Sequence, residues 1–377
     1  MQKHHSKQEP TIVSLITTLE EVPDPRVKRS REHDLVDILV IALCTILVGG
    51  DSFYDMEEFA RVRQKWLKTF LRLRNGAPSH DTFNRVFQAL DACQLADTLS
   101  SWTQSVRSVL GGEVVALDGK SVRRALNRGE DFRVIVSAWA TESGLLLGQR
   151  KVRDKSNEIT AVPELLRALE LAGCVVTADA MHCQKDIAKE IIEADAHYVL
   201  ALKGNQGSAF EEVKSFLDDG VSREDPGLVF LETADKGHGR LEQRRYWQTE
   251  RLDWYADKDR WEGLRSVGLV ESVREVNGKR SVERRYYLSS LPVDIQRFAK
   301  AVRGHWSIEN QLHWVLDVVF GEDQARARTE QAAENMAAIR RLAVNVLRRD
   351  RTCKRSIKGK LMRAAIDPDF LRHLLTI

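Results

Sequence analysis

The sequence predicts an α/β protein whose central sheet follows a helical N-terminal region and precedes basic C-terminal helices. Three observations support this fold class. From about residue 113, short apolar runs with strand-like periodicity alternate with segments of helical periodicity. Residues 11–110 show helical spacing, and residues 207–300 are charged, turn-rich and strand-like. A chain of 377 residues is long enough to form two or three domains of this kind.

The N-terminal region contains one strongly apolar helix among helices with charged faces. The segment 35–50 contains Asp37 and falls short of the roughly 20 residues that a membrane span needs, so we expect a buried helix and no membrane partner. Residues 75–90, NGAPSHDTFNRVFQAL, predict a turn and then a helix with Ser79 as its N-cap. A packing domain and a DNA-reading unit both fit this pattern, and packing is favoured on these residues alone.

The predicted sheet begins with three strands whose two-residue periodicity and short turns indicate antiparallel pairing. A helix, a strand, a second helix and a further strand follow. In chain order these elements cover residues 113–118, 131–140, 144–152, 159–171, 174–180, 185–194 and 197–206. The charged region after them predicts an antiparallel insertion with a hairpin at Asn277-Gly278, and one long helical stretch at 293–320 precedes the basic helices.

Charge and cysteine content narrow the class of protein. The net charge is only +3, but the segment from Arg340 to Arg363 holds ten Lys or Arg residues and one acid, Asp350. Such a tract suits a phosphate backbone, although a solvated helix face is the alternative. The five cysteines are scattered without a CxxC pair, which argues against a disulfide framework or zinc ribbon and predicts a cytoplasmic location.

Acidic residues occur where the sheet is expected to bind ligands. Asp118 and Asp179 each lie near the C-terminal end of a predicted strand, the usual position of ligand sites in open α/β sheets. Farther along, Glu309, His313 and Asp317 recur at intervals of four on a mostly apolar helix, so they share one face. A salt bridge inside the protein is the alternative role for each acid.

Three converging carboxylates would repel one another unless cations neutralise them. Ligand sets made only of oxygen select hard ions such as Mg²⁺ or Mn²⁺, and a pair of such ions stabilises both oxygens of a phosphodiester displacement. Nearby cations are then available to hold substrate phosphates. These cations are Lys120, Arg123, Arg124, Lys203 and Arg303.

Two further features leave alternatives open. The segment KGNQ at 203–206 ends a strand with amide groups, and contact with DNA is favoured over a plain turn. Trp306 fits stacking on an unpaired base, but packing in the core is favoured for a tryptophan on a helix.

Several motifs occur in a fixed order along the chain: VPDPRVKRSREHDLVDILV, NGAPSHDTFNRVF, ALDGKSVRRA, TADAMHCQKDIA, YVLALKGNQ, GHGRLEQRR and RGHWSIENQLHWVLDVVFGEDQARAR. Together they resemble the DDE transposases of the ISAs-type insertion sequences, the group of H-repeat-associated, Rhs-linked proteins. The resemblance covers essentially the whole chain. It departs from the wider clan at Val302, His305 and Leu316, where that clan often has Tyr, Arg and Lys.

This resemblance implies a ribonuclease H-like catalytic core at 111–206 and 301–350, with a β-rich insertion at 207–300. It places a transposase-associated domain, the candidate reader of DNA ends, at 1–110 and basic helices at 340–377. Catalysis and metal binding fall to Asp118, Asp179 and Glu309, with Mg²⁺ as the cofactor and Mn²⁺ as a substitute. The expected DNA contacts are Lys120, Arg123, Arg124, Lys203, Asn205, Gln206, His238, Arg240, Arg303, His305, Trp306, Asn310 and His313.

The function implied is that of a bacterial insertion-sequence transposase, which cuts DNA at the element ends and transfers the 3′-hydroxyl into target DNA. Its expected partners are terminal-repeat and target DNA, on which it is expected to act as a homodimer associated with the nucleoid. A DNA-binding relative that has lost transposition and a metal-dependent nuclease without strand transfer are the alternatives.

Overall fold

The structure is a computed structural model that describes residues 15–107, 112–121, 134–152, 158–237, 240–276, 279–325, 327 and 330–377. It has a mixed α/β fold in which helices cover both faces of one large sheet. The described strands are β1 (Val114–Ser121), β2 (Val134–Ala140), β3 (Leu145–Val152), β4 (Val175–Ala178), β5 (His197–Leu202), β6 (Val229–Gly237), β7 (Arg240–Thr249), β8 (Ser266–Val276) and β9 (Lys279–Ser289).

The strands form a sheet in the order β3-β2-β1-β4-β5-β9-β8-β7-β6. Strands β1, β2 and β3 pair antiparallel, as predicted, whereas β4 and β5 continue the sheet parallel to β1. Strands β6–β9 pair antiparallel, as predicted for the region 207–300, and they continue the same sheet because β9 pairs with β5. The β8–β9 pairing is that of the predicted hairpin, whose turn residues Asn277 and Gly278 lie outside the described residues.

The described α-helices surround this sheet. They are α1 (Leu15–Glu20), α2 (Leu35–Leu47), α3 (Phe53–Val62), α4 (Gln64–Leu67), α5 (His80–Ala89), α6 (Ala92–Val106), α7 (Glu158–Arg167), α8 (Lys185–Glu193), α9 (Ser208–Ser222), α10 (Ile295–His305), α11 (Glu330–Arg349), α12 (Ile357–Ile366) and α13 (Pro368–Leu374). Helix α2 is buried along nearly its whole length, as predicted. Ser79 caps α5 by accepting a hydrogen bond from the backbone N–H of Thr82, also as predicted. No helix within the described ranges is long and apolar enough to cross a bilayer.

The C-terminal helices pack against the N-terminal helices and share one apolar core with them. Asn335 on α11 strengthens this contact, because its buried side-chain amide donates to the carbonyl groups of Phe87 and Leu90 at 2.9 and 3.0 Å. The division into 1–110 and 111–377 stays a prediction. The shared core means that residues 1–110 lack part of their packing surface when α11 is absent.

The long helix predicted for 293–320 is interrupted. After α10, the chain continues in two π-helical turns, Ile308–His313 and Val315–Val319, which we call the π segment. A π-helical turn is wider than an α-helical turn and bulges out of the helix. Within the π segment, His313 is buried beside β1, whereas Glu309 is exposed.

Only part of the predicted basic tract is exposed to solvent. Arg340 and Arg341 are each 2% exposed, and the guanidinium group of Arg341 bonds to the buried carboxylate of Glu322. Lys360 is also buried, and its ammonium group donates to the carbonyl of Leu347 at 2.6 Å. These cations stabilise the helical region from within. The count of ten basic residues therefore overstates the charge available to a partner.

Candidate active site

The register of the sheet brings the two strand-end aspartates together. Strands β1 and β4 are parallel, and Leu117 pairs with Ala178, so the next residues, Asp118 and Asp179, lie side by side. Because side chains alternate along a strand, both aspartates lie on the sheet face opposite Leu117 and Ala178, which point into the core. Helix α10 packs on the face that carries the aspartates, through a core that includes Val114.

Glu309, which lies on the π segment, is the third carboxylate of the site. It lines the same cleft as Asp118 and Asp179, a cleft with a volume of about 160 Å³ at the end of the parallel strands. Glu309 is exposed, and the two aspartates are partly exposed, so all three carboxylates are open to a ligand. The structure thus places the three predicted acids around one cavity.

The cleft concentrates negative charge. Burial and the neighbouring carboxylate of Asp179 raise the pKa of Asp118 to about 6, and Glu309 contributes in the same direction. Burial also acts to raise the pKa of Asp179, but hydrogen bonding and positive charge from His182 outweigh it, so this pKa lies below its usual value. Two adjacent carboxylates with perturbed pKa values in one cleft mark a candidate functional site.

Histidines surround the acids. The ring Nδ1 of His182 lies 3.1 Å from Asp179 Oδ1, and the ring Nδ1 of His313 lies 3.5 Å from Asp118 Oδ2. Burial and the nearby charges of Arg341 and Lys120 lower the pKa of His313 to about 4, so its ring is neutral at pH 7. His313 is buried against Asp118, which differs from the DNA contact that we expected for it.

His305 lies on the same side of the cleft. Its ring Nδ1 is 3.1 Å from the hydroxyl oxygen of Thr177, the residue two positions before Asp179. Burial lowers the pKa of His305 to about 4, although the negative charge of Asp179 acts in the opposite direction. A neutral imidazole at this position bonds to Thr177 and adds no positive charge to the cleft.

The donor chemistry of the cleft fits a hard divalent cation. Three carboxylates supply only oxygen, which is the ligand type that Mg²⁺ and Mn²⁺ prefer. The raised pKa of Asp118 is the electrostatic effect that a bound cation would reverse. Within the described ranges, no three metal-ligating side chains are already gathered around one metal position.

Comparisons with known proteins identify the family. Residues 110–346 match the family described as Transposase DDE domain, and residues 16–103 match the family described as DDE_Tnp_1-associated. The chain belongs to the DDE transposase family. It is 37% identical over 371 residues to YncI of Escherichia coli O157:H7, named as a presumed transposase, covering 97% of this chain and 95% of the relative.

A second relative has the group name that the motifs suggested. YhhI of Escherichia coli strain K12, named as an H repeat-associated and presumed transposase, is 35% identical over 364 residues, covering 94% of this chain and 95% of the relative. Among solved structures, a piggyBac transposase synaptic complex with hairpin DNA has a TM-score of 0.42 and 13% identity, covering 96% of this chain and 78% of that one. The matched families and the two relatives place the protein among the DDE transposases of the H-repeat-associated group.

The cations of this transposase are distributed differently from our expectation. Lys120 is only 8% exposed, and its ammonium group contacts the carboxylates of Asp317, Glu322 and Asp323. It is thus committed to internal ion pairs, which differs from the phosphate contact predicted for it. Arg303 is exposed, and its guanidinium group lies 2.9 Å from Asp235. Arg123, Arg124, His238 and the side chain of Arg240 lie outside the described residues.

The residues of the KGNQ segment have two different roles. The side chain of Lys203 is exposed and lines the cleft. The amide groups of Asn205 and Gln206 both donate to the carbonyl oxygen of Ala180, Asn205 at 3.0 Å. These two amides hold the chain directly after Asp179, and the DNA contact that we favoured for them stays a prediction.

Arg285 is the cleft residue that sequence reasoning missed. It lies on β9, lines the cleft, and its guanidinium group stacks over the ring of Trp306 at 4.4 Å from the ring centre. Trp306 is 38% exposed, so the core packing that we favoured for it is wrong. Asn310, also exposed, donates its side-chain amide to the carbonyl of Trp306 at 3.1 Å. In the sequence, the adjacent residues Arg284 and Arg285 of β9 were the only indication of a cationic site there.

Proposed function

We propose that this transposase cuts DNA at the ends of a bacterial insertion sequence and joins the freed 3′-hydroxyl to target DNA. The observation that carries the proposal is the convergence of Asp118, Asp179 and Glu309 on one cleft. We further propose that β1–β5 and their helices form a ribonuclease H-like core, because the antiparallel β1–β3 unit continues into the parallel strands β4 and β5.

In this proposal, the three carboxylates hold divalent metal, Mg²⁺ with Mn²⁺ as a substitute. When bound, such ions activate the attacking oxygen and stabilise the leaving oxygen of a phosphodiester displacement. The remaining groups of the cleft position the reactants. Asn205 and Gln206 fix the loop after Asp179, and the neutral ring of His313 packs beside Asp118.

We propose that DNA enters the cleft between Lys203 and the Arg285–Trp306 pair. The charges of Lys203 and Arg285 neutralise phosphate oxygens that the carboxylates alone would repel. Arg285 stacks over the indole of Trp306, and the exposed indole offers a flat apolar surface for a base. Cutting both ends of an element requires two such clefts, which is why we propose a homodimer on DNA.

Incubation of the protein with the DNA that flanks its own gene, with Mg²⁺ present, tests this function. We expect specific nicks at the element ends, joined products with target DNA, and loss of both in a metal chelator. Nicks without joined products would favour a nuclease, and binding without nicks would favour a DNA-binding relative.

The Trp306→Ala variant is expected to cut element ends roughly 10- to 100-fold more slowly. The reason is that base–aromatic stacking contributes about 1–3 kcal/mol per base. Trp306→Phe should keep most of the activity, because it keeps an aromatic surface. Rates of end cleavage under single-turnover conditions measure the effect.

Trp314→Ala is the matched control for this substitution. Trp314 is an exposed tryptophan of the same helical region that does not line the cleft. A Trp306→Ala protein that cuts as fast as the Trp314→Ala protein would remove Trp306 from the DNA contacts.

End recognition is predicted to lie in the N-terminal helices, since contacts with backbone phosphates do not read sequence. On α5, His80 bonds to Glu57, whereas Asp81 and Arg85 are exposed. The variant Asp81→Ala/Arg85→Ala in the full chain should lose discrimination of about 1–3 kcal/mol for each specific base contact removed. Affinities for terminal-repeat and scrambled duplexes at the same salt concentration measure this.

Lys65→Ala serves as the control, because Lys65 is an exposed cation on α4 in the same region. The full chain is required, because the N-terminal helices share their core with α11–α13. Unchanged discrimination in the α5 variant would move end recognition to the insertion or to the C-terminal helices.

A further inference from the structure

Three exposed cations of the basic tract lie close together. Arg348 and Arg349 are partly buried and donate to the carbonyl oxygens of Gln311 and Val106, both at 2.5 Å. Beyond α11, the exposed residues Lys358 and Arg363 of the tract lie on α12. The connection before α12 carries three more exposed cations: Arg351, Lys354 and Arg355. Within the described part of the chain, no carboxylate oxygen lies within 4.0 Å of their charged nitrogens. Their charge is available to a partner.

These three cations line an open groove of about 520 Å³ that shares no residue with the catalytic cleft. The turn at 141–144 between β2 and β3 forms one wall, and residues 350–357 form the other. The groove contains two acids, but each already has a cation. Glu142 lies 2.9 Å from Lys300, and Asp350 lies 3.0 Å from Lys360. The unneutralised charge of the groove is therefore positive.

The groove is joined to the catalytic element. Gln311, two residues after Glu309 on the π segment, also lines the groove. Arg348 holds it there by bonding to its carbonyl, while the guanidinium group of Arg348 stacks over Trp139 at 5.0 Å. A ligand in the groove would thus lie next to the helical turn that carries Glu309.

We propose that this groove binds the phosphate backbone of duplex DNA at a position separate from the site of cutting. The inference rests on the proposed function, because it takes the partner of the chain to be DNA. The groove has a row of unpaired cations and no aromatic lining residue, and the side-chain amide of Gln311 accepts a hydrogen bond from Arg348 at 3.4 Å. Such a surface suits backbone contact, which holds DNA without reading its sequence. The groove therefore supplies affinity and orientation, and the cleft supplies the chemistry.

The test is the variant Arg351→Gln/Lys354→Gln/Arg355→Gln, measured with a random-sequence 30-bp duplex in the presence of chelator across a range of salt concentrations. Removing three phosphate contacts should weaken binding at least about tenfold and make the slope of log K against log salt shallower by about three units. Because no metal is present, this result does not depend on catalysis. At enzyme concentrations that saturate the DNA, the variant should still cut if the proposed function is correct.

The matched control is Lys189→Gln/Arg223→Gln/Arg260→Gln, which removes the same charge from exposed residues that already pair with acids. The variant Arg351→Lys/Arg355→Lys keeps the charge and should bind DNA as the native protein does, which shows that the weaker binding of the Gln variant comes from lost charge. Equal losses in the groove and control variants would overturn the proposal. An unchanged salt slope for the groove variant would also overturn it. So would a groove variant that binds an RNA hairpin less tightly but binds the DNA duplex normally.

Discussion

Asp118→Asn, Asp179→Asn and Glu309→Gln are each expected to abolish DNA cleavage while leaving DNA binding intact. The amide keeps the shape of each side chain but removes the charge that would hold a divalent cation. Metal ions supply several kcal/mol to reactions of this kind, so the rate should fall by about a thousandfold or more. End cleavage with Mg²⁺ and duplex binding in chelator are the two measurements.

Stability distinguishes a catalytic loss from a folding defect. The pKa of Asp118 is raised by burial and by Asp179, so its ionised form is disfavoured in the folded protein at neutral pH. Asparagine at this position should therefore leave the melting temperature unchanged or raise it. Asp186→Asn is the control, because Asp186 is an exposed acid seven residues after Asp179. Near-normal cutting by any one triad variant would remove that residue from the proposed site.

The strand-end acids were predictable because their signal is local. A short apolar run that ends in an aspartate predicts both the strand and the position of the acid, as for Asp118 and Asp179. The two aspartates lie side by side because β1 and β4 pair in parallel. A helix in the chain between two strands favours such parallel pairing. Glu309 was found because an acid stands out in an apolar helix, even though the helix proved to be partly π-helical.

The remaining site residues depend on contacts between distant parts of the chain. Arg285 reaches the cleft only because β9 pairs with β5, and nothing in either strand specifies that pairing. Lys120 lies two residues after Asp118, yet its acidic partners are about 200 residues away in sequence. Arg340 and Arg341 are adjacent and both buried, which a charge count along the sequence does not reveal.

Glu322→Gln is expected to destabilise the protein by about 3–5 kcal/mol, because removing one member of a buried ion pair leaves its partners uncompensated. Glu322 is 2% exposed and lies between two cations. Its carboxylate is 3.0 Å from the ammonium nitrogen of Lys120 and bonds to the guanidinium group of Arg341. The substitution would leave both buried cations without this shared counter-charge. Chemical and thermal denaturation measure the loss.

The dependence of this stabilisation on pH has a definite direction. Burial alone would raise the pKa of Glu322, but the charges of Arg341 and Lys120 outweigh it and lower the pKa to about 2, from an ordinary value of 4.5. A carboxylate with a lowered pKa stabilises the folded state fully above its ordinary pKa. The contribution of Glu322 should therefore be complete above about pH 4.5 and disappear as the pH falls toward 2. The Glu322→Gln variant should lack that part of the acid transition.

Asp219→Asn provides the comparison, since Asp219 pairs with Arg223 at 2.9 Å on the surface, where both side chains are more than half exposed. Exposed pairs contribute at most about 1 kcal/mol, so this substitution should change stability little. Lys120 ties β1 to the π segment through Asp317. We therefore expect the Glu322 network to help position Asp118 relative to Glu309. We expect Glu322→Gln to slow end cleavage as well, at a temperature where the protein stays folded. A loss of stability no larger than that of Asp219→Asn, with normal cleavage, would show that this network neither stabilises the fold nor positions the carboxylates.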